Sequence, residues 1–203
     1  MSLDQLPFNW FDLVLVVVLL MGLFHGRKRG MSEELLVFLQ WVAIVVVSAW
    51  LYQPVGEQLA ARTPLSHLTC YVVAYVSVAL VVTAAFLVFK RLFHGKLLGS
   101  DAFGRAEYYL GMVAGMTRFG CAMLAGLALL NARAYTPEEI RAYQAYQNEV
   151  YGSEYFPGLQ TLQANVFEKS LTGPLIRAHL GFLLIRPTPP EKKDLPRKEW
   201  TMP

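Results

Sequence analysis

Charge is scarce in this sequence. Asp, Glu, Lys and Arg make up 16% of its 203 residues, against roughly a quarter in an ordinary soluble domain. With 55% hydrophobic residues and a mean hydropathy of +0.37, that scarcity points away from a soluble domain. It also excludes intrinsic disorder, which needs low hydrophobicity and high net charge. Cysteine is scarcer still: Cys70 and Cys121 alone are too few for a disulfide scaffold or a four-ligand zinc site. A net charge of only +3 and no nucleic-acid-binding motif set nucleic acid aside as a partner. The patterns G-x-x-x-x-G-K-[ST], H-E-x-x-H, C-x-x-C and G-x-S-x-G are all missing. The expectation is therefore no enzyme, with no catalytic residue, no cofactor and no metal site.

What the chain has in abundance is apolar runs, at 11–24, 35–51, 68–89 and 108–130. A spanning helix needs about 17–25 residues, so the first run crosses only if Leu6–Trp10 extends it. The expected fold is all-α: a polytopic membrane protein with about four transmembrane helices, near 8–25, 35–51, 68–89 and 108–130, making a membrane domain of residues 1–131. The first run is not read as a cleaved signal. Asp4 and Asp12 lie at its start and Arg27-Lys28-Arg29 follows it, the reverse of a signal's charge order. Cys70 and Cys121 fall inside spans and read as small buried hydrophobes.

Short loops set the orientation. Arg27, Lys28 and Arg29 lie in the first loop, and Lys90, Arg91, Lys96 and Arg105 in the third, whereas 52–67 offers only Arg62. Lys and Arg concentrate on the cytoplasmic side, so both termini are expected outside, with Trp10, Trp50 and Tyr52 at the outer interface.

Beyond Leu130 the character changes. Residues 132–186 read as an extracytoplasmic helical extension. A helix start is expected at Thr136-Pro137-Glu138-Glu139, where Thr caps, Pro suits the first position and the acids complement the dipole. Gly173-Pro174 breaks the chain before a short apolar helix at 175–185, which lies on the membrane surface or packs on the bundle. The Pro- and Lys-rich tail 187–203 reads as disordered.

Few polar or special residues interrupt the spans. Glycines recur every four residues at Gly22, Gly26 and Gly30, and again at Gly111 and Gly115. In lipid such spacing lets helix backbones approach closely; the alternative is a broken helix lining a path. Arg118 near the centre of the fourth run costs roughly 2.5–3.5 kcal/mol to insert unless it faces protein or water. Gln40, Glu33 and Glu34 are its candidate partners, and it reads either as a contact in a polar cavity or as a headgroup-level residue of an interfacial segment over 101–118. Asn9 and Asp12 have the spacing of a capping pair. Leu23-Phe24-His25-Gly26-Arg27 is echoed by Leu92-Phe93-His94-Gly95-Lys96. The echo reads first as helix-stop chemistry, and otherwise as a paired site at His25 and His94.

Taken together these residues resemble the colicin V production protein family of small inner-membrane proteins. Phe11-Asp12 opens an apolar run, Gly26-Arg27-Lys28-Arg29-Gly30 closes it, and Glu33-Glu34-Leu35 opens the second span. The family's last span carries Asp-Arg-Leu-Leu-Gly-x-x-x-Gly-x-x-Arg-Gly, matched by Glu107 through Arg118. Glu107 stands for Asp, Tyr108 replaces the basic residue, and Gly120 falls one place late. The resemblance covers about 8–130, leaving 131–203 as an extension outside it. It implies a bacterial inner (plasma) membrane protein tied to toxin production or export and to envelope maintenance, and carries over no catalytic residue or cofactor. The expected function is a non-enzymatic accessory or scaffold; the alternative is a small oligomeric transporter or channel subunit with Arg118 in a polar path. The expected partners are the lipid bilayer and either copies of the chain or another membrane protein.

Overall fold

Helix starts need acceptors for their first N–H groups, and Asn9 supplies one. In the computed structural model, which describes residues 9–92, 104–151 and 158–189, Asn9 and Asp12 form the reciprocal capping box that their spacing suggests. From there α1 runs Trp10–Arg62. A straight helix of 53 residues measures about 80 Å, far beyond the roughly 30 Å of a bilayer's hydrocarbon core. The helix is not straight. Gly30 has φ 73° and ψ 172°, a backbone conformation that only glycine takes without a side-chain penalty. Phe11 and Tyr52, which a straight helix would hold about 60 Å apart, belong to one buried cluster. The helix therefore folds back at Gly30 into two antiparallel arms, 10–29 and 31–62.

Among the described residues two further helices are long and apolar enough to cross a membrane: α2, His67–Leu92, and α3, Glu107–Asn131. Three helices thus provide four apolar rods. The difference from the sequence reading lies at the joints. A single glycine replaces the expected first loop, and the second arm continues past Leu51 to Arg62. Those added turns have tertiary partners that composition hides: Gly56 packs against the Tyr71 ring, and Tyr52 stacks edge-on with Tyr71 at 5.8 Å. Tyr52 is consequently in the core at 5% exposure and not in the interfacial belt, whereas Trp50 is 80% exposed. Arg118 lies in the interior of α3, and residues 101–103 of the segment expected as its interfacial alternative lie outside the described residues. Cys70 and Cys121 are free and buried, as expected.

The extension begins with α4, Pro137–Tyr151, capped as its sequence predicts: the Thr136 hydroxyl accepts from the Glu139 N–H at 3.3 Å, and the Glu139 carboxylate accepts from the Thr136 N–H. Helices α5, Leu159–Phe167, and α6, Thr172–Leu180, follow. Gly173 and Pro174 lie in the first turn of α6 and do not break the chain ahead of it. Gly173 is required there because a β-carbon would collide with the Val166 carbonyl. The helix also ends earlier than the expected 175–185, passing at Gly181–Leu183 into a 3-10 turn. Val166, Phe167, Leu184 and Ile185 share one buried cluster with Phe11, Tyr52, Tyr75 and Leu127, so the short apolar segment docks on the bundle. The expected disordered tail starts too early. Thr188 donates to the Ala132 carbonyl at 2.9 Å and accepts from the Ala134 N–H at 3.0 Å, which straps 187–189 to the end of α3. Residues 190–203 lie outside the described residues.

Candidate functional site

The first arm and α3 meet along their glycines. Gly22 faces Gly115, Gly26 faces Gly111, and Gly30 faces Glu107. Each step of four residues down one helix matches four residues up the other, so these are successive rungs, one per turn, of an antiparallel contact. A β-carbon on Gly22 would lie 2.7 Å from the Gly115 carbonyl oxygen, and one on Gly111 would lie 2.6 Å from that of Gly26. The two glycine stripes therefore face each other within one chain.

At the last rung the partner is an acid. The Glu107 carboxylate accepts a 2.7 Å hydrogen bond from the N–H of Ser32. Ser32 opens the second arm, whose first amides have no intrahelical acceptor after the break at Gly30. Glu107 therefore caps a helix other than its own, and its negative charge complements that helix's dipole.

One turn further on, Glu34 is wholly buried. Its carboxylate pairs with the Arg118 guanidinium, and Arg29 approaches its other oxygen at 3.7 Å. Of the three candidate partners for Arg118, the fold selects Glu34. The guanidinium also lies 5.1 Å from the Phe119 ring centre. Although its Cα sits inside α3, the long side chain reaches back towards the Gly30 end, the snorkelling expected of arginine. The His25 ring lies 6.2 Å from that of Phe119, whereas His94 is outside the described residues. Four buried polar atoms around this corner make no hydrogen bond among the described residues: His25 Nε2, Ser32 Oγ, Glu34 Oε2 and Glu107 Oε2. Among the described residues no three His, Cys, Asp or Glu side chains gather in a way that could hold a metal ion.

Asp12 lies apart from this corner, at the opposite end of the bundle. Besides the Asn9 N–H, its carboxylate accepts from the N–H of Leu171 at 3.1 Å and from the N–H and hydroxyl of Thr172. Its local capping role is as the sequence suggests, and it also caps α6, some 160 residues away. Asn131 acts similarly, donating to the Ile185 carbonyl at 2.9 Å and accepting from Arg177 at 3.0 Å.

Sequence reasoning brings forward the glycines, Arg118 and Asp12, and the fold joins Gly22, Gly26, Gly30, Gly111, Gly115 and Arg118 into one contact while leaving Asp12 outside it. It misses Glu107 as a cap and does not single out Glu34. The available signal was Glu34's place, one turn past a glycine at the mouth of an apolar run.

A family model described as Colicin V production protein matches residues 11–163. The match runs beyond Leu130, so it takes in α4 and part of α5, which the sequence resemblance leaves out. No curated protein and no solved structure matches the chain.

Proposed function

The chain belongs to the colicin V production protein family, and within that family we propose that it is a non-enzymatic scaffold or accessory component. On this reading it supports production or export of a peptide toxin, and envelope maintenance, by holding a membrane partner. The observation that carries the reading is where the polar groups inside the bundle go. Glu34 pairs with Arg118, Glu107 caps the second arm and Asp12 caps α6. Each ties one part of the chain to another, which stiffens a shape and commits all three carboxylates to structural contacts. The surface so held is apolar: Leu80 and Val81 on α2 are 64% and 68% exposed, and Val113 on α3 is 62% exposed. Such faces suit lipid or a helical partner.

The proposed location is the bacterial inner membrane, with the Gly30 end of the bundle cytoplasmic and both termini outside. The clustering of Arg27, Lys28, Arg29, Lys90 and Arg91 at that end supports it.

Photo-cross-linkers at Leu80 and Val113 in native membranes test the scaffold. The expected result is a discrete adduct to one export or envelope protein from both positions. Adducts to lipid alone overturn it. Adducts only to further copies of the chain favour the second reading, an oligomeric transporter or channel subunit with Arg118 in a polar path. The four buried polar atoms without hydrogen bonds at the Gly30 corner speak for that reading, and ion or solute flux in liposomes then decides it.

A further inference from the structure

The first arm and α3 leave a second feature at the Gly30 end, on the outside of the glycine contact. A cavity of about 650 Å³ is lined by Phe24, Arg27 and Lys28 from the first arm and by Tyr108, Tyr109 and Met112 from α3. Of the three consecutive cations, Arg29 is turned to Glu34. Arg27 and Lys28 are exposed and make no ion pair among the described residues. Of the acids at this end, Glu34 is engaged by Arg118 and Glu107 by the Ser32 amide, and the exposed Glu33 makes no ion pair with either cation among the described residues. Two positive charges therefore line an open cavity without an ion-pair partner among the described residues.

The lining is ordered by depth. The first arm runs towards the Gly30 end and α3 runs away from it, so Phe24 lies about one turn deeper in the bundle than Arg27 and Lys28, and Met112 about one turn deeper than Tyr108 and Tyr109. The cations and the tyrosines, 60% and 71% exposed, sit at the level of the membrane surface, where tyrosine ordinarily lies with its hydroxyl towards the headgroups. Below them the walls are a phenyl ring and a thioether. This is the polarity profile of a lipid molecule: an anionic head above, an acyl chain below. Basic pockets between spanning helices are suited to anionic headgroups.

We propose that this cavity is a binding site for an anionic phospholipid, its phosphate held by Arg27 and Lys28 with the Tyr108 and Tyr109 hydroxyls as additional donors, and an acyl chain running along Phe24 and Met112. The site is independent of whether the chain acts as scaffold or as channel subunit.

Native mass spectrometry of the full chain in mild detergent, titrated with phosphatidylglycerol or with phosphatidylcholine of the same acyl chains, tests it. The wild-type chain is expected to bind phosphatidylglycerol at least tenfold more tightly. A basic residue near a membrane surface contributes on the order of a fivefold preference for an anionic lipid, so Lys28→Gln is expected to lower the preference about fivefold and Arg27→Gln/Lys28→Gln to abolish it. Lys90→Gln/Arg91→Gln, which removes the same charge from the last turn of α2 and not from the cavity, is expected to leave it intact. Equal binding of the two lipids by the wild-type chain overturns the site. So does an equal loss in the α2 control, since the preference is then a property of overall charge. Should the double variant not fold, the single Lys28→Gln variant, at an exposed position, decides by the same criterion.

Discussion

Arg118 leaves α3 inside a helix apolar enough to cross lipid, and its guanidinium finds a glutamate with no exposure at all. An arginine in that position is costly alone, and so is a buried carboxylate. Together they form a nearly neutral unit. The pair is better understood by what its breaking leaves behind than by its own strength, because replacing both partners of a buried pair by apolar residues is often neutral whereas removing one strands a charge. Arg118→Leu is therefore expected to destabilise the bundle by about 3–5 kcal/mol, and Glu34→Leu/Arg118→Leu to recover most of that loss, as read from unfolding midpoints in detergent. A single variant no worse than the double would mean that the two side chains are not coupled. The double variant also separates the functional readings: a scaffold keeps its activity once refolded, whereas a conducting path through Arg118 does not.

At the scale of elements, the antiparallel contact of the first arm with α3 rests on backbone approaching backbone, and only glycine permits that. Dispersion across so close a contact is what holds apolar helices together where lipid removes the hydrophobic driving force. Gly26→Leu places a side chain on the Gly111 carbonyl and is expected to separate the first arm from α3, abolishing a monodisperse folded species in size-exclusion chromatography. Gly126, on the same α3 helix, has nothing within 4 Å of where a β-carbon would go. Gly126→Ala is expected to leave the fold intact and to be neutral or stabilising, by up to about 1 kcal/mol from helix propensity. If both variants behave alike, the stripe does not act through close approach. Carboxylates borrowed from other elements do the remaining joining. Glu107 and Asp12 each begin a helix that is not their own, so that loss of either frees an end of the bundle.

On the scale of the whole molecule, the fold has two chemically different ends. One carries the Gly30 break, the basic clusters Arg27–Arg29 and Lys90–Arg91, and the buried Glu34–Arg118 pair. The other carries a core shared by the spans and the extension, in which Phe11 and Tyr52 meet Phe167 and Ile185. Cysteine labelling distinguishes the ends in a background where the two buried native cysteines are replaced (Cys70→Ala/Cys121→Ala). Leu65→Cys, at a site 47% exposed between α1 and α2, is expected to react with an impermeant maleimide in intact spheroplasts, and Lys28→Cys only after permeabilisation. Reversed labelling overturns the orientation, and labelling of both from one side overturns the hairpin.

Much of this was legible in the sequence because it depends on neighbours along the chain. Apolar run lengths determined four rods for a membrane. The Asn9–Asp12 and Thr136–Glu139 spacings determined two helix starts, and the four-residue glycine spacing determined which faces could pack closely. The need of Arg118 for a partner was equally local, being a matter of one charge among apolar residues. Tertiary structure alone decided which surfaces met: that Gly22 lies on Gly115 within one chain, that Glu34 and not Gln40 or Glu33 receives Arg118, and that Asp12 reaches Thr172. It also decided that polar-looking residues 52–62 stay helical and that Thr188 is strapped to Ala132. Hydropathy and periodicity are sums over adjacent residues, whereas these choices follow from the register of rods whose contacting residues stand up to 160 positions apart.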